Sequence, residues 1–148
     1  MKKYLAIALT ALALTACGDD KADSSAQTDS VKTRQNLMRD WRGANDIMKG
    51  MMENPTTFDS AVFKEQADFI NKSNEEMWSH FNDQNAKGRS KDEVWTNIQG
   101  FTDEKDKFMT ASANLVAQAD SAKTASDVEQ AFGKMAESCG SCHKAYKK

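Results

Sequence analysis

The chain of 148 residues is poor in the residues that β-rich proteins and nucleic-acid binders need. It contains one proline, seven glycines and few β-branched residues, whereas alanine and the longer polar residues are plentiful. This composition favours helices over a sheet protein with many turns. The formal net charge is -2, so the excess of basic charge that marks nucleic-acid binders is missing, and we exclude a nucleic acid partner. We therefore predict one small all-α domain.

A membrane-spanning run is also missing. Two lysines precede an apolar run over residues 4–16, and its roughly 13 residues fall short of the ~20 that a spanning helix needs. This predicts an export signal over residues 1–16. The end of the signal, Leu-Thr-Ala-Cys, resembles the lipobox of bacterial lipoproteins, which implies lipidation of Cys17 and, because Gly18 follows, anchoring to the outer membrane. The alternative is an ordinary cleaved signal with a stray cysteine.

Almost nothing apolar stands in residues 17–30, which are mainly Asp, Ser, Lys, Ala and Thr. Such a stretch cannot bury a core, so we predict a flexible tether there. The folded domain is expected over residues 31–148.

Four amphipathic segments make up this domain. Apolar residues recur at helical spacing over residues 30–53, 59–82 and 100–120, and again from Ser126 to the C-terminal region. Four helices with short links predict an antiparallel four-helix bundle that encloses a cofactor.

Local signals mark the ends of these helices. Asp59 is a plausible cap of the second helix, and Ser126 with Glu129 has the S-x-x-E spacing of a capping box. Residues 85–92 have no apolar period and are predicted to form a loop. After this loop, the chain is expected to return to the core at Val94, Trp95 and Ile98.

The chemistry is concentrated in the last helix. Cys139-Gly140-Ser141-Cys142-His143 is C-x-x-C-H, the attachment sequence for c-type haem. On a helix, the two cysteines and the histidine share one face because they are three and four positions apart. Two thioether bonds would tether the porphyrin while His143 coordinates the iron. The sequence thus predicts one covalent haem c.

Two other readings of the motif are weaker. A redox disulfide between Cys139 and Cys142 would normally follow a strand in a βαβ unit, and no strand pattern is present. Zinc needs four N or S ligands, but outside the motif the folded part offers only the distant His80.

The position of the motif near the C-terminus, on the last of four helices, resembles the cytochrome c′ family, the class II c-type cytochromes with their low-spin branch. The segment Arg34-Gln35-Asn36-Leu37-Met38 is similar to the opening of the family's first helix. Three further segments, 57–59, 93–95 and 131–133, are similar to family landmarks.

This resemblance implies roles for two residues of the first helix. Arg34 is implied to reach a haem propionate, and Met38 to cover the distal face of the iron. The two lie one helical turn apart and therefore point the same way. The alternative is that Met38 is an ordinary core methionine. The family usually has an arginine just past the haem histidine. In this chain the position is occupied by Lys147, whose ammonium group lacks the planar, forked donor geometry of a guanidinium.

The sixth iron ligand decides the function, and the sequence leaves it open. If Met38 only covers the distal face, the resemblance implies a five-coordinate iron that binds NO and CO. If its sulfur coordinates, the iron is low-spin and the protein is an electron carrier. Both cases use the Fe(III)/Fe(II) couple, so we predict one-electron transfer on the periplasmic side, with NO binding as the alternative. No enzyme is predicted, because the first helix offers no acid–base residue for a peroxidase.

The partners are less defined. Lys144, Lys147 and Lys148 give favourable charge at a helix C-terminus; the alternative is a docking patch for an acidic redox partner. Family members are often homodimers through the first two helices, but polar residues interrupt the outer face of the second helix here, so the oligomeric state stays open.

Overall fold

The computed structural model describes residues 20–148, with side chains from Thr28 onward. The predicted signal over residues 1–16 and the predicted lipidation site Cys17 lie outside the described residues. The helices of the described part are α1 (Asp20–Glu53), α2 (Ser60–Lys72), α3 (Asn74–Ser79), α4 (Glu93–Thr96), α5 (Ile98–Ala119) and α6 (Ala125–Tyr146). None of these helices is both long and apolar enough to cross a membrane.

The predicted four-helix bundle is confirmed. Its four members are α1, α2 continued by α3, α5 and α6, and α5 packs against both α6 and α2. Fully buried side chains from all four members meet in the centre of the core: Met48, Phe63, Met77, Leu115 and Met135. The bundle is therefore held by interdigitating apolar side chains.

The first helix is longer than predicted. It begins at Asp20 instead of near Ser30, so the prediction of a flexible tether is wrong for residues 20–30. The absence of apolar residues there does not prevent a helix, because Ala, Lys and Gln have high helix propensity and no Pro or Gly interrupts this stretch. The predicted domain boundary at Val31 falls inside α1.

The second predicted helix is interrupted. It ends at Lys72, and a separate turn of helix follows from Asn74. Ser73 supplies the break, because its Oγ donates to the carbonyl oxygen of Phe69, 2.7 Å away, and competes with the helix ladder. The predicted cap is confirmed, since the carboxylate of Asp59 accepts hydrogen bonds from two backbone N–H groups of the first turn.

Two local predictions near α5 and α6 are wrong. The cap of α6 lies at Thr124 and Asp127 rather than at Ser126 and Glu129: the Asp127 carboxylate accepts from the backbone N–H and the hydroxyl of Thr124. Ile98 was expected in the core but is 68% exposed. It is the first residue of α5, so its side chain lies beyond the part of the helix that packs in the core.

Candidate functional site

One cavity of about 900 Å³ brings together every predicted cofactor residue of the described chain. It lies between the middle of α1 and the C-terminal part of α6, with walls from α3, α5 and the loop that follows α3. The predicted residues that line it are Arg34, Met38, Cys139, Cys142 and His143. The first and last helices of the bundle thus meet at a single site, although about a hundred residues separate Arg34 from Cys139.

The motif side chains have the chemistry of an attachment site. Cys139 and Cys142 are half-buried and are not joined to each other. Burial raises the pKa of each thiol to about 11, and the nearby Glu104 charge adds to this effect at Cys142. Burial, followed by the positive charge of Lys147, lowers the pKa of His143. The imidazole is therefore neutral at neutral pH, which is the state that binds a metal.

A carboxylate of α5 holds the turn between the two cysteines. The hydroxyl of Ser141 donates to Glu104, whose second oxygen accepts from Lys107. Glu104 has only 15% of its side chain exposed. These hydrogen bonds lower the pKa of Glu104, so the carboxylate is charged at neutral pH. Sequence patterns did not identify this residue, because its partners are distant along the chain.

Arg34 is a buried cation at the edge of the cavity. It is 5% exposed, and its Nη2 donates to the backbone carbonyl oxygens of Ala86 and Lys87. Burial lowers its pKa. Gly88, with φ +54°, allows the loop to approach α1 this closely, because a Cβ there would lie 2.7 Å from Val31.

Aromatic rings form the wall beyond Met38. Trp41 stacks on Phe108, with ring centroids 5.0 Å apart, and meets Trp78 edge to face at 6.0 Å. The indole N–H groups of Trp41 and Trp78 donate to Ser73 and Asn74 respectively. The break between α2 and α3 therefore positions both indoles, a role that periodicity did not indicate.

The loop after α3 is fixed to the end of α6. The backbone N–H of Lys91 donates to the carbonyl oxygen of Tyr146, and the N–H of Lys148 donates to that of Arg89, both at 2.9 Å. Lys91 Nζ also donates to the last carbonyl oxygens of α6, those of Lys144 and Ala145. This pairing places Arg89, Ser90 and Lys147 at the same cavity as His143.

The residues fit a covalent haem. The cavity has the size of a cofactor site, and its lining combines a larger apolar surface with several basic side chains. Two buried polar atoms in lining residues have no hydrogen-bond partner: Nη1 of Arg34 and Oδ1 of Asn45. A guanidinium with a free N–H donor can form a charge-assisted hydrogen bond to a haem propionate. Zinc is not favoured, since no three His, Cys, Asp or Glu side chains of the described residues cluster as a metal site.

Comparisons with known proteins identify the family of this chain. The family described as Cytochrome C′ matches residues 29–147. Cytochrome c′ of Alcaligenes xylosoxydans xylosoxydans is 26% identical over 120 residues, which are 81% of this chain and 94% of that protein.

Solved structures show the same fold. A ferrous variant of cytochrome c prime from Alcaligenes xylosoxidans with bound NO aligns with a TM-score of 0.76 at 25% identity, over 82% of this chain and 95% of that one. Cytochrome c prime from Shewanella frigidimarina aligns with a TM-score of 0.75 at 26% identity, over 82% and 96%. The chain therefore belongs to the cytochrome c′ family, and its cofactor is one covalently bound haem c.

Proposed function

We propose that this protein is a periplasmic one-electron carrier that works through its haem iron and is not an enzyme. The observation that supports this most directly is the position of Met38. Met38 lines the same cavity as His143, although the two residues belong to α1 and α6. A histidine and a methionine that face one cavity are the pair that binds a low-spin electron-transfer haem.

Each residue of the site would have a separate task. Cys139 and Cys142 would hold the porphyrin through thioether bonds, and His143 would bind the iron through its neutral imidazole. Nη1 of Arg34, which has no protein partner, would donate to a propionate. The stacked rings of Trp41 and Phe108 would exclude water. When bound, the haem supplies the Fe(III)/Fe(II) couple.

Nitric oxide binding is the second candidate function. If Met38 covers the distal face without coordinating, a small uncharged ligand such as NO or CO would bind where the side chain now packs. The apolar part of the lining, which includes Trp41, Ile70 and Phe108, favours such ligands over polar ones. A solved relative that aligns over most of this chain holds NO, which supports the candidate.

The location and assembly are proposed from the chain itself. The predicted signal and the predicted lipid on Cys17 support anchoring to the outer membrane on its periplasmic side. Exposed apolar side chains on the first two helices, Ile47, Val62 and Phe69, support a homodimer. Replacing Cys17 with serine tests the anchor, because the protein would then leave the membrane fraction.

A potentiometric titration tests electron transfer and separates the two candidates. We expect a reversible one-electron transition, and we expect Met38→Leu to lower the reduction potential because a thioether ligand raises it. Leu37→Met is a matched control, since Leu37 packs on the core beside Met38. A potential that Met38→Leu leaves unchanged, together with NO binding by the unmodified protein, would favour the gas-binding function.

A further inference from the structure

Five basic residues from two distant parts of the chain surround the C-terminal end of α6. We call them the basic collar: Arg89, Lys91, Lys144, Lys147 and Lys148. The backbone pairing of residues 89–91 with residues 146–148 brings them together. Two members, Arg89 and Lys147, line the cavity that also contains His143.

No member of the collar takes part in a salt bridge within the part of the chain that the structure describes. Four of them are exposed: Arg89, Lys144, Lys147 and Lys148. The neighbouring Lys87 is different, because it pairs with Asp92 at 3.1 Å. A local excess of positive charge stands out in a chain whose net charge is -2.

Stabilisation of the helix end does not account for this excess. Lys91 Nζ already donates to two of the last carbonyl oxygens of α6, at 2.9 and 3.1 Å, and so supplies the cation that a helix C-terminus favours. Arg89 lies outside α6 and lines the cavity instead. Arg89 and Lys147 line the cavity, where a haem propionate can meet their charge, but Lys144 and Lys148 do not. Like charges held close together repel one another, so these two exposed lysines favour contact with an anionic surface.

We propose that the basic collar docks a redox partner protein whose contact surface carries clustered carboxylates. This inference rests on the proposed electron-transfer function. A protein partner is favoured over an anionic lipid surface because the collar lies at the cavity of His143, where electrons must pass to or from another molecule. A membrane on this face would cover that route.

The test is stopped-flow reduction of the purified haem-loaded protein by reduced flavodoxin, an acidic one-electron donor, at low and high salt. We expect the rate to fall steeply as salt rises, because screening removes the attraction. The double variant Lys144→Glu with Lys148→Glu should be reduced about tenfold more slowly at low salt. Neither side chain lines the cavity of His143.

A matched control makes the same total charge change elsewhere. Lys123→Glu with Lys134→Glu alters two exposed lysines, one just before α6 and one in its first half, and the rate should stay within about twofold of the unmodified protein. Lys144→Gln with Lys148→Gln should give an intermediate rate, which separates the effect of charge from damage to the end of α6. Far-ultraviolet circular dichroism checks that each variant is folded.

The outcomes separate this inference from the proposed function. If the protein takes up electrons but the collar and control variants are reduced equally fast, the collar is not a docking surface and the electron-transfer function stands. Loss of binding to phosphatidylglycerol vesicles in the collar variant, at an unchanged flavodoxin rate, would assign the collar to a membrane and overturn the proposal. A protein that cannot be reduced at all contradicts the function itself.

Discussion

The guanidinium of Arg34 lies over the ring of Phe81, with its Cζ 4.4 Å from the ring centroid. The same group donates to two carbonyl oxygens of the loop that follows, those of Ala86 and Lys87. One side chain of α1 thus holds the loop whose far end pairs with α6. The cavity and the basic collar both depend on this connection.

Replacing Arg34 with alanine is therefore expected to destabilise the protein strongly. The variant loses two hydrogen bonds from a charged group and leaves buried carbonyl oxygens without a donor. We therefore expect the free energy of unfolding to fall by about 3 kcal/mol. Urea denaturation measures it. Arg39→Ala is the control, because that side chain is 72% exposed on the same helix, and it should change the free energy by about 0.5 kcal/mol or less. Equal losses in the two variants would contradict a special role for Arg34.

The attachment of haem is expected to depend on the two motif cysteines. The double variant Cys139→Ser with Cys142→Ser should lose all covalently bound haem, because no thiol remains in the motif to form a thioether. Mass spectrometry of the denatured protein measures this. Ser138→Ala, one position before the motif, is the control and should keep the haem mass. Covalent haem in the double cysteine variant would place the attachment elsewhere.

Glu104 is expected to tune the iron electrostatically. Its carboxylate holds Ser141, between the two cysteines, and stays charged because hydrogen bonds from Lys107 and Ser141 lower its pKa. A nearby negative charge stabilises the oxidised state, so Glu104→Gln should raise the reduction potential on the order of tens of millivolts. Asp106→Asn, an exposed change on the same helix, should have a much smaller effect. A potential that does not move in Glu104→Gln would leave the carboxylate a purely structural role.

We expect the stability of the folded protein to depend on pH through Asp127. Hydrogen bonds from the backbone of Lys123 and Thr124 lower its pKa below the ordinary 3.8. A carboxylate whose pKa is lower in the folded protein stabilises it above the ordinary pKa, and this stabilisation is lost as pH falls through the lowered value. Asp127→Asn should therefore melt at a lower temperature than the unmodified protein at pH 7, and the difference should shrink at pH 2.

Glu129→Gln is the matched control for Asp127. It lies on the same helix and is the residue that sequence spacing predicted as the capping partner, but Asp127 takes that role. Its substitution should change the melting temperature little at either pH. A larger effect of Glu129→Gln than of Asp127→Asn at pH 7 would restore the original capping prediction.

The sequence predicted most of the bundle because amphipathic periodicity reports which face of a helix is buried. It also predicted the motif residues, since C-x-x-C-H places three reactive groups on one helix face. It did not predict the break at Ser73, because a serine hydroxyl that competes for a backbone carbonyl oxygen of the helix does not change the spacing of the apolar residues. Apolar periodicity could not predict the start of α1 at Asp20, because helix propensity and not burial favours a helix over residues 20–30.

Residues that act through distant contacts could not be found from spacing. Glu104 meets Ser141, and Lys91 meets the end of α6, only because α5, α6 and the loop pack together. Met38 was proposed from a family resemblance, and the structure adds that it lines the cavity of His143. Such relationships require the tertiary structure.

The absorption spectrum of the purified protein, oxidised and then reduced with dithionite, is the most direct test of iron coordination by Met38. We expect the spectrum of a haem c whose reduced form has a sharp split α/β pair, together with a methionine–iron band in the oxidised form that Met38→Leu removes. A broad high-spin spectrum that shifts on addition of NO would contradict coordination by Met38 and make the protein a gas binder. A protein without haem bands would contradict both coordination by Met38 and attachment of haem to the motif.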